Sequence, residues 1–133
     1  IIMQLKMQTI NGTAEVLPIN EECLVTGYMG DCVSAIVLAK KGAKNNYEIV
    51  RGYHGFGGAE NINFNSLFAG LQREKSILYI FRGTLQRSDY AKSRIQDIVK
   101  EYITQHQIIA EVHYFDYSNA SVNRTSEITP ICY

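Results

Sequence analysis

The sequence predicts an α+β domain with two helices packed on one side of largely antiparallel β-sheet layers. Short apolar runs of strand character recur along the chain, from Leu5 to Ile131. Two other segments, at 64–71 and 88–103, instead space their apolar residues as a helix does. The resulting order is strands, helix, strand, helix, strands, which is the third observation behind the assignment.

The elements follow in order. Gln4-Leu5-Lys6-Met7-Gln8 alternates like a half-buried strand, and Asn11-Gly12 signals a turn before a second short strand from Thr13 to Leu17. Pro18 to Glu22 reads as a polar loop. Cys23-Leu24-Val25-Thr26 is a brief apolar segment that stops at Gly27, and Tyr28 to Asp31 forms a turn into the strand Val33–Ala39. Lys40 to Asn46, rich in Lys, Gly and Asn, closes a hairpin onto the strand that starts at Tyr47. That strand runs into a glycine cluster, Gly52, Gly55, Gly57 and Gly58, with His54 and Phe56 standing between them.

Phe64, Leu67, Phe68 and Leu71 predict a short amphipathic helix with Asn63 or Asn65 as its N-cap. Ser76 to Phe81 is a continuous apolar strand, expected in the middle of its sheet. Ser88 and Asp89 start the clearest helix, with Ala91, Ile95, Ile98, Val99, Tyr102 and Ile103 on its apolar face. Ile108 to Phe115 returns as a strand, Tyr117 to Arg124 reads as a polar turn, and Thr125 to Tyr133 as a closing strand.

Size and composition bound the function. A chain of 133 residues and 15.0 kDa can bury one sizeable core and not two, so a single domain over 1–133 is expected. Because the chain begins at Ile1 and not at methionine, it is expected to be a processed or excised piece of a longer protein, or to carry added terminal residues. Thirteen basic and thirteen acidic residues cancel, which removes the surplus of Lys and Arg that nucleic-acid binding relies on. No apolar stretch approaches the ~20 residues that span a bilayer, and the N-terminus lacks a secretory pattern, so no membrane partner is expected. Cys23, Cys32 and Cys132 are an odd number without Cys-x-x-Cys spacing, which fits neither a disulfide framework nor a structural zinc site. A reducing, cytoplasmic compartment is the simpler expectation.

The chemistry concentrates at Thr26-Gly27-Tyr28-Met29-Gly30-Asp31-Cys32 and at Gly52-Tyr53-His54-Gly55. A cysteine becomes a nucleophile when a neighbour takes and returns its proton, and histidine is the usual partner. A hairpin closed by the 40–46 loop would put Cys32 and His54 at its open end, where N–H groups of the Gly-rich turn could gather around an oxyanion. Free cysteines are also among the most buried residues, so Cys32 equally fits a small apolar core group. Asp31 and Asp116 are candidates to orient His54, although a solvated turn aspartate describes either. An Asp31 carboxylate beside the thiol would oppose thiolate formation. His106 follows the long helix and suits its C-terminal dipole, and His113 is expected to pack within a strand.

The spacing of these motifs resembles the chemoreceptor glutamine deamidases of bacterial chemotaxis, the CheD family. Those proteins carry a threonine six residues before a Gly-Ser-Cys nucleophile, then a strand, a loop and a second strand ending at the histidine. Leu24 to Val33 and Arg51-Gly52-Tyr53-His54 stand in the same places here. Ile80-Phe81-Arg82-Gly83, Ile95 to Tyr102, Ile108 to Val112 and a hairpin over Asn119 to Ile128 follow the family's order. The same Thr-Cys-His arrangement is similar to that of the deamidase toxins of the cytotoxic necrotizing factor type.

The resemblance implies Cys32 as nucleophile, His54 as general acid/base and Thr26 as the residue orienting the histidine. Gly30, Asp31, Tyr53 and Gly55 would line the oxyanion and substrate site. It implies no metal and no organic cofactor, and as partner a protein carrying the target glutamine, met in the bacterial cytosol or, for a delivered toxin or effector, the host cytosol. Asp31 replaces the family's serine, Gly55-Phe56-Gly57-Gly58 replaces an apolar continuation, and Tyr117-Ser118-Asn119 stands for Gly-Gly-Asn. Two alternatives accompany this expectation: a non-catalytic protein-binding module on the same fold, and a Cys/His transglutaminase or peptidase.

Overall fold

The computed structural model describes residues 7–10 and 15–131. Nine strands are described: β1 (Met7–Thr9), β2 (Glu15–Val16), β3 (Cys23–Val25), β4 (Val33–Lys41), β5 (Tyr47–Gly55), β6 (Ser76–Arg82), β7 (Ala110–Phe115), β8 (Ala120–Asn123) and β9 (Ile128–Pro130). They form a five-stranded sheet in the order β2-β5-β4-β6-β7 and a four-stranded sheet in the order β1-β3-β8-β9. Two α-helices, α1 (Phe64–Leu67) and α2 (Asp89–Gln105), complete an α+β fold.

The reason for three layers is visible in β4. Val33, Ala35, Val37 and Ala39 pack on one face with Phe64, Leu67, Phe68, Ile95 and Val99 of the helical segments. Cys32, Ile36 and Leu38 face the other way, against Leu24, Ala120 and Val122 of the four-stranded sheet. A strand covered on both faces needs apolar residues at every position, which is why this stretch reads as a continuous run and not an alternation. Both helices therefore lie on one side, and the second sheet occupies the other.

Pairing in the larger sheet is antiparallel from β2 to β6, and β6 pairs with β7 in parallel through the α2 crossover. Ser88 caps α2, its Oγ accepting from Ala91 N at 3.1 Å, and Ile95 and Val99 carry the helix onto the sheet. Asn63, of the two asparagines considered, caps α1 by accepting from Ser66 N at 3.1 Å. His106 closes α2: its ring stacks on Tyr102 with centroids 4.1 Å apart and its Nδ1 meets the Tyr102 carbonyl at 3.0 Å.

Two expectations are corrected. Residues 117–124 are not simply a polar turn, because Ala120 to Asn123 form β8, whose Ala120 and Val122 are buried between the sheets. Small side chains and interspersed Ser and Asn hide the alternation. His113 is exposed on the outer strand β7, 3.1 Å from the Glu111 carboxylate, and is not packed in a core. The proposed strand at 4–8 starts at Met7 within the described residues, and Asn11-Gly12, Thr13 and Cys132 lie outside them. No helix among the described residues is long and apolar enough to cross a membrane.

Candidate active site

The hairpin of β4 and β5 sets the site. Its register pairs Val33 with Gly55 and Ser34 with His54. Cys32 sits one residue beyond the first pair, so by strand alternation Cys32, Ser34 and His54 project to the same face. Cys32 and His54 are diagonal neighbours there, at a spacing of about 7–8 Å between Cα atoms that two side chains can close. Both are nearly buried, at 8% and 5% exposure.

His54 is oriented by main chain. Its Nδ1 lies 2.7 Å from the carbonyl oxygen of Thr26, at the end of β3 in the other sheet. A carbonyl only accepts, so in the neutral ring Nδ1 carries the proton and Nε2 carries the lone pair. Nε2 is buried and has no hydrogen-bond partner among the described residues. Phe56, two residues on and on the same face, covers the ring with centroids 4.5 Å apart.

Thr26 contributes to the histidine through its backbone, not through its hydroxyl. Oγ1 accepts from Ala120 N at 3.1 Å and has Gly27 O at 2.8 Å and Asn119 Oδ1 at 3.3 Å as acceptors for its proton. The side chain thus ties the end of β3 to the start of β8, and that tie places the carbonyl.

Cys32 is held from two sides. The thiol points to Asp31 Oδ1 at 3.6 Å, and the backbone of Gly57 on the other side favours the charged form of the sulfur. Burial pushes the thiol above its ordinary value; the Gly57 contact opposes this, and Asp31 adds to it by hydrogen bond and by charge. The resting group is therefore a neutral thiol. Gly57 could be recognised in the sequence only as one of a glycine cluster, because its role depends on a positive φ of 84° that folds the chain back toward Cys32.

The turn before Cys32 is fastened through its carbonyls. Those of Met29, Gly30 and Cys32 accept from Thr84, Leu85 and Gly83 N–H groups, at 3.4, 2.8 and 3.0 Å. Gln86 Nε2 donates to Asp31 O at 2.7 Å. A Cβ on Gly83 would meet the same turn, 2.8 Å from both Cys32 O and Met29 O and closer still to Gly30 O, so only glycine permits this approach.

The remaining sequence candidates divide. Gly30 and Asp31 lie in the turn beside the thiol. Gly55 is confined by packing, since a Cβ there would lie 2.6 Å from Ile62 Cγ1 and 2.9 Å from Val33 O. Tyr53 alternates to the opposite face and packs on the helix-side core, away from Cys32 and His54. Asp116 does not reach His54: its carboxylate pairs with Arg82 Nε at 2.7 Å and Lys92 Nζ at 3.2 Å. Cys23 is free and buried in β3.

Tyr28, Phe56 and Leu85 are exposed, at 62%, 59% and 73%. Tyr28 also walls an open hollow of about 350 Å³ with Arg87, Asp116, Tyr117, Ser118 and Asn119. A larger hollow, about 490 Å³, lies at the far end of β4 around Lys41 and Ser76, remote from the thiol. Among the described residues no cluster of three or more His, Cys, Asp or Glu side chains could hold a metal ion. No protein-family model matches the chain, and no curated protein matches it significantly.

Proposed function

We propose that this chain is a protein-glutamine deamidase, as its resemblance to the CheD family implies, hydrolysing the side-chain amide of glutamine to glutamate and ammonia. The observation that carries the reading is the His54 Nδ1 contact with Thr26 O at 2.7 Å, which leaves Nε2 as a base on the face it shares with Cys32. A thiol that rests neutral needs such a base at the moment of attack.

In the proposed reaction Cys32 Sγ bonds to the carboxamide carbon as His54 Nε2 takes the thiol proton. The N–H groups of the 30–32 turn are the donors available to the developing oxyanion. The imidazolium then protonates the amide nitrogen, the C–N bond breaks and ammonia leaves a Cys32 thioester. Water attacks that thioester with His54 again as base, and the C–S bond breaks to return the thiol. Phe56, exposed and packed on the His54 ring, suits a protein substrate better than free glutamine, because an exposed apolar side chain beside the imidazole offers a contact that a polypeptide can cover. That substrate is a chemoreceptor or, given the altered residues at 31, 55–58 and 117–119, another protein reached by a toxin or effector.

One observation favours a second reading, a binding module without catalysis: burial and Asp31 both hold the thiol above its ordinary value. A single experiment separates them. Bacterial and eukaryotic protein extracts are each incubated with the chain and with Cys32→Ala, and ammonia and glutamine-to-glutamate conversion are followed by mass spectrometry. Conversion by the unaltered chain and not by Cys32→Ala is expected; equal peptide spectra and no ammonia in both extracts would end the deamidase reading.

A further inference from the structure

Ser34 is completely buried near the start of β4, and its Oγ has no hydrogen-bond partner among the described residues. The only other buried side-chain atom of this kind among the described residues is His54 Nε2. The two residues are direct partners across the β4–β5 ladder, on the face that also carries Cys32. Directly opposite residues keep their Cβ atoms about 4.5–5.5 Å apart. Two orphan polar atoms in one buried spot are costly to leave unmet, and the cost is avoided when a small molecule bonds to both.

The chemistry of the two atoms selects that molecule. Nε2 offers a lone pair, because Nδ1 carries the proton toward Thr26 O, and a hydroxyl both gives and accepts. On the other side of Ser34, the ladder places Phe81, which offers no hydrogen bond. The occupant must therefore donate to Nε2 and exchange a hydrogen bond with Oγ, and the burial of both residues calls for a small molecule such as water or ammonia. We propose that Ser34 Oγ and His54 Nε2 form a two-point site for a water molecule, and that this water is the one that hydrolyses the Cys32 thioester.

The second half of the proposal rests on the deamidase reading. In that step the water oxygen bonds to the thioester carbon while Nε2 takes one of its protons and Oγ holds the other. The C–S bond then breaks and the imidazolium returns its proton to sulfur. Ammonia, of similar size and bonding, would leave through the same two atoms. Ser34 is thus a positioning residue, acting on the water and not on the substrate.

Ser34→Ala tests this in three measurements. A hydroxyl that ties the strands together would lower the melting temperature when removed, whereas one bonded only to an exchangeable water changes it little; the second is expected. The ¹⁵N signal of neutral His54 Nε2 should move downfield in the variant, toward that of an unbonded lone pair. Pre-steady-state ammonia release should keep its first equivalent, with later turnover slowed about 10- to 100-fold because only water attack is misplaced. A fall in melting temperature with an unmoved Nε2 signal would overturn the site. A moved signal with both kinetic phases reduced equally would overturn the water's role. Were the unaltered chain to release no ammonia, the deamidase reading would fall, and the Nε2 signal would still decide the site by moving or not.

Discussion

The imidazole Nδ1 of His54 and the main-chain carbonyl of Thr26 meet at 2.7 Å, joining the two sheets through one hydrogen bond. The threonine hydroxyl faces the other way, to Ala120 N. Thr26→Val should therefore orphan a buried N–H and cost about 1–3 kcal/mol of stability, measured by denaturant titration. Turnover by the folded fraction should persist, whereas His54→Ala should lower it about 10²- to 10⁴-fold. A folded Thr26→Val protein as inactive as His54→Ala would place the hydroxyl in the reaction.

Asp31 and Cys32 define a pH response. The carboxylate accepts from the thiol at 3.6 Å and repels a thiolate, so together with burial it raises the thiol pKa. Removing the charge in Asp31→Asn lowers that pKa, and more thiolate exists at neutral pH. Iodoacetamide labelling of Cys32, resolved by peptide mass mapping, should be faster at pH 7 in the variant and reach its plateau at lower pH. Unchanged or slower labelling would show that the side chain does not act on the sulfur.

Gly83 supports the turn from below. Its replacement by alanine drives a methyl group into the carbonyls of Met29, Gly30 and Cys32. Gly83→Ala should cost about 1–3 kcal/mol, as overpacking does, and reduce activity beyond the loss of folded protein because the Cys32 backbone must shift. Stability and specific activity, measured separately, check both halves.

Asp116 links β7 to α2 and to the end of β6. Burial pushes its pKa up, but hydrogen bonds and charge from Arg82 and Lys92 outweigh this and leave it below the ordinary aspartate value of 3.8. A lowered folded-state pKa contributes stability that is present above the unfolded value and lost as pH falls through the folded one. Asp116→Asn should thus melt lower than the parent at pH 7, and the difference should shrink at acid pH below that value. A difference independent of pH would contradict the ion-pair account.

Much of this fold was legible because its signals are local. Ser88 as N-cap, the spacing of Ile95 and Val99 and the apolar run at 76–81 each express a rule that acts within one or two turns or a single strand. The end of the 33–55 hairpin was equally legible, which is why Cys32 and His54 could be paired as candidates. Beyond this, periodicity missed β8, which only the resemblance, with its hairpin over Asn119 to Ile128, anticipated: Ala120 and Val122 are ordinary residues until β3 pairs with their strand and the five-stranded sheet covers them. Ser34 lay two residues from Cys32, and strand alternation alone would have placed it on the same face.

What the sequence by itself determined is the α+β class, the two helices and the hairpin that carries a thiol and an imidazole at its open end. Only the tertiary structure decided that Thr26 acts through its carbonyl, that Gly57 meets the sulfur, that Tyr53 faces away and that Asp116 is taken by Arg82 and Lys92. The physical reason is range. Caps and periodicity are settled between near neighbours, whereas a hydrogen bond from β5 to the end of β3 depends on how two sheets dock, which is fixed by burial spread over the whole core.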